Sequence, residues 1–92
     1  MTSLAIDDVK IEIYSTGLCP FCTRARMLLD KKGVQYTEYR VDVERNLRAE
    51  MENRSQRHTV PQIFIDNHHI GGFDDLVELD IDEELDGLLG IN

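Results

Sequence analysis

Val9, Ile11 and Ile13 alternate with Lys10, Glu12 and Tyr14, a period of two that predicts a first strand with one face on a core, ending at Ser15-Thr16-Gly17. From Pro20 to Lys32 the period becomes helical. Cys22, Ala25, Leu28 and Leu29 share one stripe, Pro20 suits the first helical position, Gly33 is a stop, and Lys31 and Lys32 suit the negative C-terminal end. Residues 36 to 41 again have strand chemistry. Asp42 then stands where it can cap a second, weakly amphipathic helix over 44 to 54, with Leu47 and Met51 four apart. Residues 62 to 66 and 68 to 70 predict an antiparallel hairpin with its turn around Asn67, broken by Gly71-Gly72. A third helix is expected to begin near Asp74 and Asp75 with Leu76, Val77 and Leu79 inward, and Leu85, Leu88 and Leu89 predict a last amphipathic turn or two. The order is βαβαββα. Strands joined through helices pair in parallel and the hairpin adds antiparallel strands, which makes an α/β fold with a four-stranded mixed sheet flanked by helices.

Ninety-two residues with 41% hydrophobic and 30% charged positions are ordinary globular composition, and no repeat or linker divides them, so a single domain over residues 1-92 is expected. The formal net charge of -8 argues against nucleic acid and anionic membranes, whose phosphates require clustered cations. The acidity is local. Residues 1 to 46 carry seven acids and seven bases, residues 47 to 92 eleven acids and three bases. The acidic stretch from Asp66 to Asp86 reads as a solvated helical face, with selection of basic partners as its functional alternative. No basic start with an apolar run, and no 18 consecutive apolar residues, are seen, so a cytoplasmic location is expected.

Two cysteines change the picture. Cys19 and Cys22 enclose too small a loop to constrain an unfolded chain, and a reducing compartment would not keep a structural bridge, so their use is chemical. Cys-x-x-Cys beside a βαβ pattern reads as a redox pair. Cys19 falls where a strand ends and a helix begins, and the unpaired N–H groups there favour a thiolate. Cys22, one turn further in, is expected to be more buried and to attack a mixed disulfide from within. Structural zinc needs four ligands; there is no second Cys pair, His68 and His69 point to opposite faces of their strand, and His58 is a single further candidate, so no metal is expected.

Two further stretches carry information. Thr59-Val60-Pro61 precedes a strand; Pro61 cannot donate to a ladder, and its bond to Val60 is open between a trans proline at a strand start and a cis one that leaves the Val60 amide and carbonyl to pair with an extended ligand. In Gly71-Gly72-Phe73-Asp74-Asp75 the glycines permit close backbone approach. The aspartates either cap the third helix, or the helix start holds a ligand carboxylate while an Asp accepts from a ligand ammonium, as an amino-acid-like group would require.

Together Cys19-Pro20-Phe21-Cys22, Thr59-Val60-Pro61-Gln62-Ile63-Phe64 and Gly71-Gly72-Phe73-Asp74-Asp75 resemble the glutaredoxins, at that family's spacing and over roughly residues 9 to 89. The likeness is nearest to the small bacterial dithiol class, usually Cys-Pro-Tyr-Cys, with Phe21 in place of tyrosine. The resemblance implies a thioredoxin-like fold, and reduction of protein disulfides and protein-glutathione mixed disulfides. Glutathione would be the reducing co-substrate, with no tightly bound cofactor. By position it makes Cys19 the nucleophile and Cys22 the resolving thiol. It assigns glutathione to Phe21, Thr59, Val60, Pro61, Gly72, Phe73 and Asp74: the Val60 backbone on the cysteinyl part, Pro61 as a cis proline, and Gly72 to Asp74 on the γ-glutamyl end. Partners would be disulfide or glutathionylated proteins, met by a monomer. In one departure, Thr16 stands where the family commonly has a lysine facing the glycyl carboxylate; Arg57 is the nearest replacement, with Arg26 a second candidate. Two other roles fit the same fold: a redoxin served by thioredoxin reductase and feeding ribonucleotide reductase, and a carrier holding an iron-sulfur cluster between two chains and two glutathiones.

Overall fold

The computed structural model describes residues 9–91. Strands β1 (Ile11–Ser15), β2 (Thr37–Arg40), β3 (Gln62–Ile65) and β4 (His68–Gly71) form one sheet in the order β2-β1-β3-β4, and α1 (Pro20–Lys31), α2 (Arg45–Ser55), α3 (Phe73–Ile81) and α4 (Leu85–Leu89) cover it. β1 runs parallel to β2 and antiparallel to β3, and β3 runs antiparallel to β4, so the sheet is mixed as the element order predicts. The fold is thioredoxin-like.

β1 departs from its expected single buried face, because all five of its residues are buried. Helices lie on both sides of the two central strands. Ile11, Ile13, Ile63 and Ile65 pack with Ala25 and Leu29 of α1, Leu76 of α3, and Leu85 and Leu89 of α4. Each such side chain contributes about 1.5–3 kcal/mol on burial. On the other side Tyr14 and Phe64 pack with Val41 and Met51 of α2. Glu12 is consequently only 3% exposed. Its charge is matched by Arg54, whose Nη2 lies 3.1 Å from Oε1, and the Tyr39 hydroxyl donates to Oε2 at 3.0 Å. Burial acts to raise this carboxyl, but the bonds from Arg54 and Tyr39 and the arginine charge outweigh it, so Glu12 titrates below its ordinary range.

The ends of the elements follow local chemistry with one exception. Pro20 opens α1, and Gly33 (φ 76°) leaves it in the left-handed region. Lys32 then reaches Asp80 of α3 and Asp86, each at 2.7 Å, tying the end of α1 to the last two helices. Asp42 does not cap α2: the cap position is Glu44, with no side-chain bond. The Asp42 carboxylate instead holds the Arg40 guanidinium by two bonds and accepts the Gly17 N–H at 3.1 Å. A loop N–H and a cation compete successfully with the helix start. The hairpin turn is Asp66-Asn67, both with positive φ (51° and 68°), a two-residue turn whose twist suits the flanking strands better than one centred on Asn67 alone. Glu83 (φ 61°) separates α4 from α3, so the expected final turns form a helix of their own. Among the described residues no helix is long and apolar enough to cross a membrane.

Candidate functional site

Cys19 occupies the N-cap of α1 with extended backbone (φ -119°, ψ 110°), where the chain leaves β1 and has not yet become helical. Its Sγ accepts the Cys22 N–H at 3.2 Å, one of the orphan donors of a helix start. The Sγ also stands 3.7 Å from the Val60 carbonyl, within reach of a thiol donor. Cys19 is partly exposed, Cys22 fully buried, and both are free thiols. Burial, reinforced by the hydrogen bond with Cys19, pushes the Cys22 thiol up to about 12. At neutral pH Cys22 is therefore a protonated reserve behind an accessible sulfur, the difference of exposure that the helical spacing predicts.

Beside Cys19 lies an open cleft of about 230 Å³ lined by Phe21, Arg57, Thr59 to Gln62, and Gly72 to Asp75. Every residue expected from the sequence to contact glutathione is among them except the second candidate cation, Arg26. Phe21, half exposed, faces Phe73 with ring centroids 6.2 Å apart, and the Arg24 guanidinium lies 5.4 Å over the Phe21 ring. The Val60-Pro61 bond is cis. Among the described residues the Val60 N–H and the N–H groups of Phe73 and Asp74 donate to nothing, so the cleft wall offers donors without partners.

The two aspartates divide the roles left open between them. Asp75 Oδ2 accepts the Gly72 N–H at 2.9 Å and the Arg57 Nη1 donor at 3.2 Å; the Gly72 bond first, and Arg57 after it, hold this carboxyl below its usual range against the opposing effect of burial. Asp74 is exposed on the cleft rim. Asp75, at the third helical position, closes a capping box on the N-cap Gly72, and Asp74 is the carboxylate left facing the cleft. Gly71 (φ 121°) makes the arrangement possible, since a Cβ there would stand 2.2 Å from Asp75 Oδ2.

Of the two cations considered as replacements near Thr16, Arg57 is on the cleft and Arg26 is not. Arg26 is drawn to Glu38 at 2.7 Å and to the Thr23 hydroxyl at 3.2 Å. Arg40 is a third cation near the thiol loop, unsuspected from the sequence; its Nη2 would be 2.4 Å from a Cβ at Gly17. Gln62 stands out in the sequence only as part of a motif, although a polar residue at a central-strand position is itself a signal. It is wholly buried, and its amide bridges Thr59 and His69. Among the described residues no group of three His, Cys, Asp or Glu side chains is placed to hold a metal ion.

Known proteins share both the sequence pattern and the geometry. The family model described as Glutaredoxin matches residues 11–70. Glutaredoxin 3 of Escherichia coli (strain K12) is 53% identical over 80 residues, covering 87% of this chain and 96% of that protein. The solution structure of glutaredoxin from Brucella melitensis superposes with a TM-score of 0.80 at 45% identity, covering 91% of each chain. A crystal structure of a buckwheat glutaredoxin-glutathione complex superposes with a TM-score of 0.83 at 28% identity, covering 95% of this chain and 86% of that one.

Proposed function

This chain belongs to the glutaredoxin family and is a glutathione-dependent thiol-disulfide oxidoreductase, and on that premise we propose that Cys19 is its nucleophile, Cys22 its resolving thiol, and the cleft from Arg57 to Asp75 its glutathione site. The observation that carries the reading is the position of the Cys19 sulfur, 3.7 Å from the Val60 carbonyl at the margin of a cleft whose walls carry free N–H donors and an exposed Asp74. Those features match a γ-glutamyl peptide: the Val60 backbone takes its cysteinyl amide, the N–H groups at the start of α3 its α-carboxylate, and Asp74 its ammonium. Phe21, Phe73, Thr59 and Pro61 line the site, and Arg57 serves the glycyl carboxylate in place of the lysine that Thr16 replaces.

With a glutathionylated protein, the Cys19 thiolate attacks the glutathione sulfur; a Cys19-glutathione bond forms, the old S–S bond breaks, and the protein leaves as a thiolate. A second glutathione thiolate then attacks that bond, releasing glutathione disulfide and restoring Cys19. With a protein disulfide, Cys19 forms a mixed disulfide with the protein. Cys22 attacks the Cys19 sulfur to give an internal bridge, which two glutathiones reduce. Cys22 must first lose its proton, and conversion of Cys19 to a disulfide removes the part of its pKa elevation that comes from Cys19. We place this work in a monomeric, single-domain protein of the cytoplasm, a compartment that keeps the dithiol reduced, acting on disulfide or glutathionylated proteins without a tightly bound cofactor.

The test is NADPH consumption on a glutathionylated peptide, once with glutathione and glutathione reductase and once with thioredoxin reductase alone. Turnover is expected only in the first. Cys22→Ser is expected to retain that activity and lose most reduction of a protein disulfide, and Cys19→Ser to lose both; turnover confined to thioredoxin reductase sinks the glutathione site.

A further inference from the structure

Gln62 is the only glutamine or asparagine side chain among the described core residues, at 0% exposure, and it stands at the cleft wall with its amide committed to protein partners. Its Nε2 donates to the Thr59 carbonyl at 3.0 Å, and its Oε1 lies 2.6 Å from His69 Nε2. These bonds are mutually determining. A backbone carbonyl only accepts, so the amide nitrogen must face Thr59 and the oxygen must face His69; His69 Nε2 therefore carries a proton. His69 is itself held by stacking on Phe64, centroids 5.0 Å apart. Burial first, and the Arg57 charge after it, lower its pKa, so at pH 7.5 it is the neutral Nε2–H tautomer.

The Thr59 carbonyl and the Val60 N–H belong to one planar unit. The Thr59-Val60 bond is trans, which directs the two groups oppositely. A donor that grips the carbonyl from the core side therefore aims the Val60 N–H away from the core, toward the cleft, where it has no protein partner among the described residues. Consecutive bonds in such a chain also polarise one another.

We propose that Gln62, locked in its orientation by His69, is the positioning residue that presents the Val60 N–H to the substrate's backbone carbonyl, and so sets affinity for glutathione rather than the chemistry at Cys19. The inference rests on the glutathione reading of the cleft. Substitutions at two positions separate the halves of the device. Gln62→Leu removes both bonds; Gln62→Glu keeps an acceptor for His69 but has no donor for Thr59. His69→Phe keeps the stacking surface and releases the amide, and His69→Gln restores a donor.

Steady-state kinetics on a glutathionylated peptide, with glutathione and glutathione reductase, are expected to show KM raised about fivefold to twentyfold in Gln62→Leu and Gln62→Glu with kcat within twofold of the parent. A smaller rise is expected in His69→Phe, reversed in His69→Gln. Long-range 1H–15N NMR of the ligand-free protein at pH 7.5 is expected to show the Nε2–H tautomer of His69 in the parent and a tautomer mixture in Gln62→Leu. Folded Gln62 variants with parental KM, a loss confined to kcat, or an Nδ1–H tautomer in the parent would overturn the proposal. A parent with no saturable use of the glutathionylated peptide would instead overturn the glutathione reading, with the tautomer measurement still reporting the Gln62–His69 bond. Should Gln62→Leu not fold, the Gln62→Glu and His69 pair decide alone.

Discussion

Cys19 and Cys22 differ by three positions and by almost everything that controls a thiol. Cys19 is partly exposed at a helix N-cap and accepts a backbone N–H; Cys22 is fully buried and is held near 12 by that burial first and by Cys19 second. A neutral alkylating reagent should therefore discriminate between them. Brief treatment of the reduced protein with iodoacetamide at pH 7.5 is expected to modify Cys19 alone, as read by peptide mass spectrometry, with Cys22 labelled only after unfolding. Equal labelling of the folded protein would contradict the burial argument. The same kind of division applies to Asp74 and Asp75. Adjacent and identical in chemistry, they separate because one carboxylate reaches back to the Gly72 N–H and Arg57 while its neighbour stays on the cleft rim.

At the scale of elements, the cleft is made by the starts of two helices and one loop. α1 brings Phe21, with Cys19 beside the cleft at its N-cap, α3 brings Phe73 and Asp74, and the segment after α2 brings Arg57 and Thr59 to Pro61. The junction between β4 and α3 is the least tolerant of them, because Gly71 combines a left-handed φ with contact against the capping carboxylate. Gly71→Ala is expected to cost about 1–3 kcal/mol. For a domain of this size that lowers Tm by roughly 5 to 20 °C, measurable by thermal unfolding; an unchanged Tm would mean that Asp75 can leave its cap without loss. The end of α1 is secured differently, by Lys32 between Asp80 and Asp86. This helps a chain with an acidic C-terminal half to pack α3 and α4 against α1: the lysine at the C-cap of α1 is placed between two of those acids.

In the whole molecule the two central strands are buried on both faces, and the polar side is the α2 side. There Glu12, Tyr14, Tyr39, Glu50 and Arg54 form a network around an ion pair whose carboxylate end is nearly inaccessible and whose arginine is partly exposed, with the Arg54 guanidinium 4.0 Å over the Phe64 ring. Breaking such a pair from one end leaves a buried charge. Its pH dependence has a definite sign. The Glu12 carboxyl is lowered in the folded state from an ordinary value of 4.5, so its contribution to stability is complete above about pH 4.5 and is lost as pH falls through the folded value. Asp75, lowered from 3.8, acts in the same direction in a more acidic window. Urea midpoints measured from pH 7 down to pH 3 are expected to fall below about pH 4.5. Glu12→Gln is expected to be less stable at pH 7 and flatter through the acid range, whereas an undiminished acid slope in that variant would assign the loss to other carboxylates.

The sequence by itself determined the elements, their order, the mixed sheet and the thiol pair, because each is written in contiguous residues: a period of two or of 3.6, a proline at a helix start, a Cys-x-x-Cys at a strand-helix boundary. It also named the cleft residues, through motifs whose members are neighbours in the chain. What those neighbours meet was decided by tertiary structure. The Cys19 sulfur finds the Val60 carbonyl 41 positions away, and Glu12 finds Arg54 across 42. Asp42 looked like a helix cap until the fold brought Gly17 and Arg40 within its reach. Gln62 and His69 read as strand residues, and only the pairing of β3 with β4 made them a bridge under Thr59. Local patterns encode backbone conformation, which depends on near neighbours; the partners of a polar side chain depend on where the whole chain carries it.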